Sequence, residues 1–144
     1  MSESTEEIKK EPKKKPIPRP APESVKYWQA AKEHRLEIPH CNACGKFWFP
    51  PSQSCPHCLS TDFAFVPVSG RGKVFSFVTF HRVYHPAFAK EVPYVVALVE
   101  LDEGPRLLTN IVGVKPENVT CEMAVKVVFD DVSEDVSVPK FAPA

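Results

Sequence analysis

The sequence predicts a mainly β protein with a short N-terminal helical segment, a compact cysteine module and a small closed barrel of five strands. Three observations carry this. The chain of 144 residues has 16 prolines against 5 glycines, which favours short elements and punctuated loops over long helices. Four of its 5 cysteines fall in two Cys-x-x-Cys pairs. The last 75 or so residues carry several β-branched and aromatic runs separated by turn signals, a spacing that suits closure into a barrel.

Residues 1–22 form the first unit, a charged arm with six basic residues, four acidic residues and five prolines. It has too little apolar surface to offset its ordering entropy. Ser4-x-x-Glu7 has the form of a capping box that could start a turn or two of helix. A mobile or partner-dependent arm, or a solubilising tail, is expected. The start lacks the apolar core of a secretory signal, and no apolar run approaches the roughly 20 residues needed to span a bilayer. A cytoplasmic location without membrane association is therefore expected.

Residues 23–35 read as a helix. Val25, Trp28 and Ala31 or Lys32 share one face, with Tyr27, Ala30 and His34 beside it and no proline between. A helix of about a dozen residues is marginal alone, so Trp28 is expected to dock on another element or on a partner. The Tyr27-Trp28 pair would suit a binding hot spot or internal packing.

Residues 36–65 hold the cysteine module. Cys41-Asn42-Ala43-Cys44-Gly45 and Cys55-Pro56-His57-Cys58 are separated by ten residues. Two residues between thiolates let one tight turn aim both sulfurs at one ion, and two such turns complete a tetrahedron. Cys41, Cys44, Cys55 and Cys58 are thus the expected ligands of a structural zinc, with iron the alternative for an all-sulfur site. A redox reading of Cys55-Pro56-His57-Cys58 needs a thioredoxin-like βαβ setting, which is not seen, and leaves Cys41 and Cys44 unused. His57 is expected to face solvent, and His40 is not needed by a shell already complete. The linker Lys46 to Pro51 is long enough for a small hairpin, whose Phe47, Trp48 and Phe49 could pack on a partner or within the chain.

Residues 66–144 form the barrel. Strands are expected over Lys73–Phe80 and Tyr94–Leu101, both with apolar residues on two faces, then over Arg106–Val112, Ala124–Phe129 and through Val136, Val138 and Phe141. The chain carries no constellation that reads as catalytic. Cys121 has no histidine in a companion motif and reads as a buried structural thiol. Asp130-Asp131 and Glu134-Asp135 read as an acidic loop. No phosphate loop, serine elbow or dinucleotide fingerprint occurs. Arg71, in the Gly70-Arg71-Gly72 turn, together with His81, Arg82 and Tyr84, could line a barrel-mouth site for an anion.

Charge argues against a nucleic-acid groove. Residues 66–144 hold eight basic and ten acidic side chains, and residues 36–65 one and two; only residues 1–35, with nine and six, lean positive. A single-stranded nucleic-acid-binding module remains the alternative reading, because ribbons and barrels of this kind often serve that purpose.

The motifs converge in one order: Tyr27-Trp28, Cys41-x-x-Cys44-Gly45, Phe49-Pro50-Pro51, Cys55-Pro56-x-Cys58, Gly70-Arg71-Gly72, Pro93-Tyr94 and Leu98-Val99-Glu100-Leu101-Asp102-Glu103-Gly104. Over about residues 24–142 this resembles the acyl-CoA-associated zinc-ribbon/OB-fold family, long catalogued as a domain of unknown function. The resemblance implies an N-terminal helical segment, a rubredoxin-like zinc ribbon and a five-stranded OB-fold barrel. It also implies a non-catalytic accessory or scaffold that partners a thiolase, an HMG-CoA synthase-like enzyme or a related aldolase or hydratase. The barrel mouth at Arg71, His81, Arg82 and Tyr84 would then meet acyl-CoA. One departure is that similar proteins often have glycine near Cys121, which bears on the tightness of that turn.

Overall fold

The computed structural model describes residues 16–144; the possible capping box and most of the expected arm lie outside the described residues. A single 3-10 turn at Pro22–Ser24 leads into the helix α1, Val25–Lys32. Its buried side is Tyr27, Ala30 and Ala31, with Trp28 packed beside them, whereas Val25 is exposed. The helix is shorter than the expected 23–35 because it closes in a Schellman-type cap. The N–H groups of His34 and Arg35 donate to the carbonyls of Ala31 and Ala30, and His34 takes φ +59°. Glycine usually occupies that position. His34 repays its strain with contacts: its ring stacks on Phe129 at 5.1 Å, and its Nε2 lies 2.8 Å from Asp131 Oδ1.

Strand β1, Glu37–Cys41, pairs antiparallel with β2, Phe63–Pro67, and the two cysteine turns lie between them. A bridge from His40 to Phe47 replaces the small hairpin expected in the linker. Strand β2 continues to Pro67, so the expected unit boundary at 65/66 falls inside it.

Five strands then close a barrel: β3 (Arg71–Phe80), β4 (Tyr94–Leu101), β5 (Arg106–Ile111), β6 (Ala124–Asp131) and β7 (Ser137–Pro143). Their spatial order is β3-β4-β5-β7-β6, with β6 returning to β3. The β5–β7 contact is parallel and the others antiparallel, so β5 reaches β6 by crossing over residues 112–123 instead of by a hairpin. This is the OB-fold topology. Alternation along β4 turns Val95, Ala97, Val99 and Leu101 inward, where they meet Val74, Leu107, Ile111, Val125 and Phe141. A bulge between Val74 and Ser76 bends β3 for closure. Gly72 has no room for a side chain, since a Cβ there would stand 2.3 Å from the Glu100 carbonyl oxygen.

The barrel core continues into Tyr27 of α1 and into Leu36 and Ile38 at the base of the ribbon, with Phe47, Phe49 and Phe65 packed against them. Tyr27 lies between Trp28 and Phe49, with centroids at 5.2 and 5.3 Å, and its burial pushes its phenol pKa up. Among the described residues no helix is long and apolar enough to cross a membrane.

Candidate metal centre and its relatives

Each cysteine pair sits in a turn built the same way. The N–H of Gly45 donates to the carbonyl of Cys41 at 3.0 Å, and the N–H of Leu59 to that of Cys55 at 2.8 Å. The N–H groups of Cys41 and Cys55 donate to the carbonyls of Lys46 and Ser60, both at 2.9 Å. Backbone N–H groups also point at sulfur, Cys44 to Cys41 Sγ and His57 to Cys55 Sγ, both at 3.4 Å. The residue after each second cysteine is left-handed: Gly45 at φ +76° and Leu59 at φ +64°. The two turns face each other, and all four Sγ atoms lie within 4.8 Å of one another. Cys41 and Cys58 approach to 3.5 Å, and Cys44 and Cys55 to 3.7 Å. Sulfurs bonded at about 2.3 Å to one tetrahedral ion stand about 3.8 Å apart, so this set fits a single zinc-sized ion with no ligand position left open.

The electrostatics favour a cation. The Cys44 N–H holds the Cys41 thiol down at about 7, against the opposing effect of burial. Cys58 is pushed up to about 12: the Ser60 N–H opposes the rise, but crowding by Cys41 Sγ, burial and the other two sulfurs outweigh it. Sulfurs packed this closely cannot all ionise unless positive charge sits among them. His57 is exposed, as expected, and His40 packs its ring on Phe47 at 4.5 Å, so neither belongs to the ligand set. The ribbon aromatics pack within the chain, Trp48 fully and Phe47, Phe49 and Phe63 in part. Trp48 is buried edge-on to Phe63 at 5.0 Å and donates Nε1–H to Ser52 Oγ, while Phe49 packs on Tyr27.

The expected anion site is not assembled as one unit. Arg71 is the first residue of β3, and His81, Arg82 and Tyr84 follow its far end. Ten residues of strand, roughly 30 Å at about 3.3 Å per residue, separate them. Arg82 instead lies over the Tyr84 ring at 5.5 Å.

Two further readings are corrected. Cys121 is exposed, because Val119 takes the buried place and the turn swings the thiol outward. The tightness questioned there is met by Glu122, which holds φ +69° and pairs with Lys73 at 3.0 Å. Asp130 and Asp131 are not in a loop but in β6, and each has a partner. Lys140 Nζ is 2.7 Å from Asp130, and Asp131 accepts from the Ser137 hydroxyl and from His34. The Ser137 hydroxyl, with His34 second, holds the Asp131 carboxyl below its ordinary range. Sequence reasoning missed the partner because it stands 97 residues away.

A four-sulfur turn pair ahead of a closed β3-β4-β5-β7-β6 barrel defines a zinc-ribbon/OB-fold protein. Residues 28–64 match the family described as "ChsH2, rubredoxin-like zinc ribbon domain", and residues 65–130 match "ChsH2, C-terminal OB-fold domain". The chain belongs to this ChsH2 (DUF35) family. It is 40% identical over 113 residues to a "DUF35 domain-containing scaffold protein" of Methanocaldococcus jannaschii, covering 77% of this chain and 79% of that one. It is 41% identical over 141 residues to a "probable enoyl-CoA hydratase alpha subunit" of Thermomonospora curvata, covering 97% of this chain but only 44% of that longer protein. It is 28% identical over 95 residues to the "benzoylsuccinyl-CoA thiolase subunit BbsA" of Thauera aromatica, covering 66% of this chain and 63% of that subunit. Among solved structures, the "Ltp2-ChsH2(DUF35) aldolase" superposes with a TM-score of 0.81 at 41% identity, covering 88% of this chain and 98% of that one. These relatives support an accessory role beside enzymes of acyl-CoA metabolism.

Proposed function

We propose that this chain is a non-catalytic scaffold subunit that holds a thiolase-superfamily or related acyl-CoA-processing enzyme, with zinc bound by Cys41, Cys44, Cys55 and Cys58 fixing the ribbon. The observation that carries the reading is the 98% coverage, at a TM-score of 0.81, of the matched chain in the Ltp2-ChsH2(DUF35) aldolase. That matched chain has almost nothing beyond the fold described here, so whatever surface it offers a partner belongs to the shared fold. A four-sulfur shell leaves no position for water or substrate, which makes the ion a structural element and not a hydrolytic one. The ion's contribution is rigidity, because the ribbon's own core of Cys41, Trp48 and Cys55 is too small to fold unaided. The barrel mouth is a second, independent proposal. Arg82 and Tyr84, with His81, offer a guanidinium and rings to a CoA phosphate or adenine at the β3–β4 loop, whereas Arg71 stands too far away to share that contact.

The test is affinity purification of the full chain from its own cells at moderate salt, with partners identified by mass spectrometry and acyl-CoA turnover assayed on the isolated chain. A stoichiometric thiolase-superfamily, hydratase or aldolase subunit and no turnover by the chain alone are expected. Recovery with single-stranded nucleic acid, or turnover by the isolated chain, would overturn the reading.

A further inference from the structure

The β3–β4–β5 sheet turns one face into the barrel and leaves the other uncovered by the described residues, and the middle of that outer face is largely apolar. The register sets its rows: Phe80 beside Tyr94, Val78 beside Val96 beside Asn110, and Ser76 beside Leu98 beside Leu108. Phe75 projects from the bulge at the end of these rows. Leu108 is 73% exposed and Val78 55%, large values for aliphatic side chains in mid-strand. Tyr84 and Val83, also exposed, come from the adjoining loop, where Tyr84 sets its ring edge-on to Phe80 at 5.8 Å. The six apolar side chains of these rows, with Phe75, Val83 and Tyr84 beside them and about 4.8 by 6.8 Å for each, make a patch of roughly 300 Å² interrupted by Ser76 and Asn110. A patch of that size is comparable with the largest apolar patch of an ordinary monomer, which is often the functional one.

The patch runs into a cleft of about 510 Å³ at one end, between the β3–β4 loop and residues 112–116. Tyr94, Val96, Val112 and Val114 line it, and Asn110 and Lys140 supply its polar side. An apolar face with a side socket suits a protein surface that presents one large anchor side chain.

Charge decides the kind of occupant. The ions bordering the sheet itself are committed to one another, Lys73 to Glu122 and Glu100, Arg106 to Glu100, and Lys140 to Asp130; Arg82, over the Tyr84 ring at the loop end, is the exception. Arg106 also lies over the Phe75 ring at 3.7 Å. Phosphate on the sheet would have to break these pairs, and the one cation left at the loop end is too little for the several phosphate contacts that a nucleic acid or an anionic membrane needs. A patch of roughly 300 Å² is the centre of a standard interface, which buries about 800 Å² per partner, and the ion pairs form its polar rim.

We propose that the outer face of β3, β4 and β5, with the cleft beside it, is the surface on which the acyl-CoA-processing enzyme docks. This rests on the scaffold reading above. The ribbon, whose Trp48 is buried and whose Phe47 and Phe49 are half-buried against the chain's own core, supplies support and not the main contact.

The experiment uses the enzyme subunit identified in the purification above, expressed and purified alone, with its affinity for the full chain measured by biolayer interferometry. Leu108→Asp and Val78→Asp, single and combined, place charge at the patch centre. Leu59→Asp does the same on the equally exposed ribbon turn. Circular dichroism, melting temperature and bound zinc establish that each variant is folded. The double variant is expected to bind at least about 100-fold more weakly and Leu59→Asp within about 3-fold of wild type.

A photo-crosslinker at position 108, which leaves the rest of the surface native, is expected to capture the enzyme subunit. Unchanged affinity of the folded double variant would overturn the docking face and leave the scaffold reading intact, and so would a loss confined to Leu59→Asp. Crosslinking only to a second copy of this chain would likewise refute the face. Failure of the wild-type chain to bring down any such enzyme would remove both proposals.

Discussion

Leu59→Gly is a substitution whose effect can be worked out from the two cysteine turns. Leu59 and Gly45 are equivalent positions, each following the second cysteine of its pair and donating its N–H to the carbonyl of the first. Both are left-handed, Leu59 at φ +64° and Gly45 at φ +76°. That conformation costs a residue with a Cβ about 1–2 kcal/mol. The other two non-glycine residues held this way among the described residues recover the cost: His34 stacks on Phe129 and binds Asp131, and Glu122 pairs with Lys73. Leu59 is 77% exposed and recovers little by burial. Glycine would release the strain and lose about 0.5–1 kcal/mol to the greater freedom of the unfolded chain. The net expectation is stabilisation of the ribbon by about 0.5–1 kcal/mol. Because ion binding and ribbon folding are coupled, this should read as about 2- to 5-fold tighter zinc binding in competition with a chelator. Gly45→Ala is the reciprocal variant. A Cβ there has nothing within 4 Å, so it should lose about 1 kcal/mol through conformation alone. Opposite signs for the two variants support the argument. Weaker zinc binding by Leu59→Gly, or no effect of Gly45→Ala, would refute it.

Three further outcomes are expected. Chelation at neutral pH should unfold the ribbon before the barrel, because the small cluster of Cys41, Trp48 and Cys55 depends on the ion; in a Trp28→Phe background, Trp48 emission should shift to the red while the barrel's circular dichroism persists. Gly72→Ala should cost about 2–3 kcal/mol in urea unfolding, since its Cβ meets backbone of β4 that cannot move without opening the barrel. The Asp131 carboxyl is held down by Ser137 and His34, so its contribution is fully present above the unfolded value of about 3.9 and is lost as pH falls through the lower folded value; urea titrations from pH 5 to pH 2 should show wild type losing stability faster than Asp131→Asn, and parallel curves would refute the assignment.

What the sequence made legible, and what it hid, follows from how local each signal is. The span expected for β4, Tyr94–Leu101, is the observed one because alternation and the Asp102–Pro105 turn are both written within a few residues. The cysteine quartet was legible for the same reason: each pair needs only one tight turn. Strand β3 begins two residues earlier than expected, at Arg71, because its first residues pair with Lys126 and Val125 of β6, and distant pairing leaves no local trace. Strands β1 and β2 were unreadable as a pair because residues 42–62 separate them and Pro39 lies inside the first. The parallel β5–β7 contact and the His34–Asp131 contact were hidden in the same way. The outer face of the barrel differs in kind. The sequence shows β3 and β4 apolar on both sides, a pattern that in an open sheet means burial on both faces. In a closed barrel only one side can face in, so the second apolar side faces water unless another part of this chain or another molecule covers it. No described element of the chain covers Val78 and Leu108, and the surplus hydrophobicity of these strands is therefore best explained by a partner.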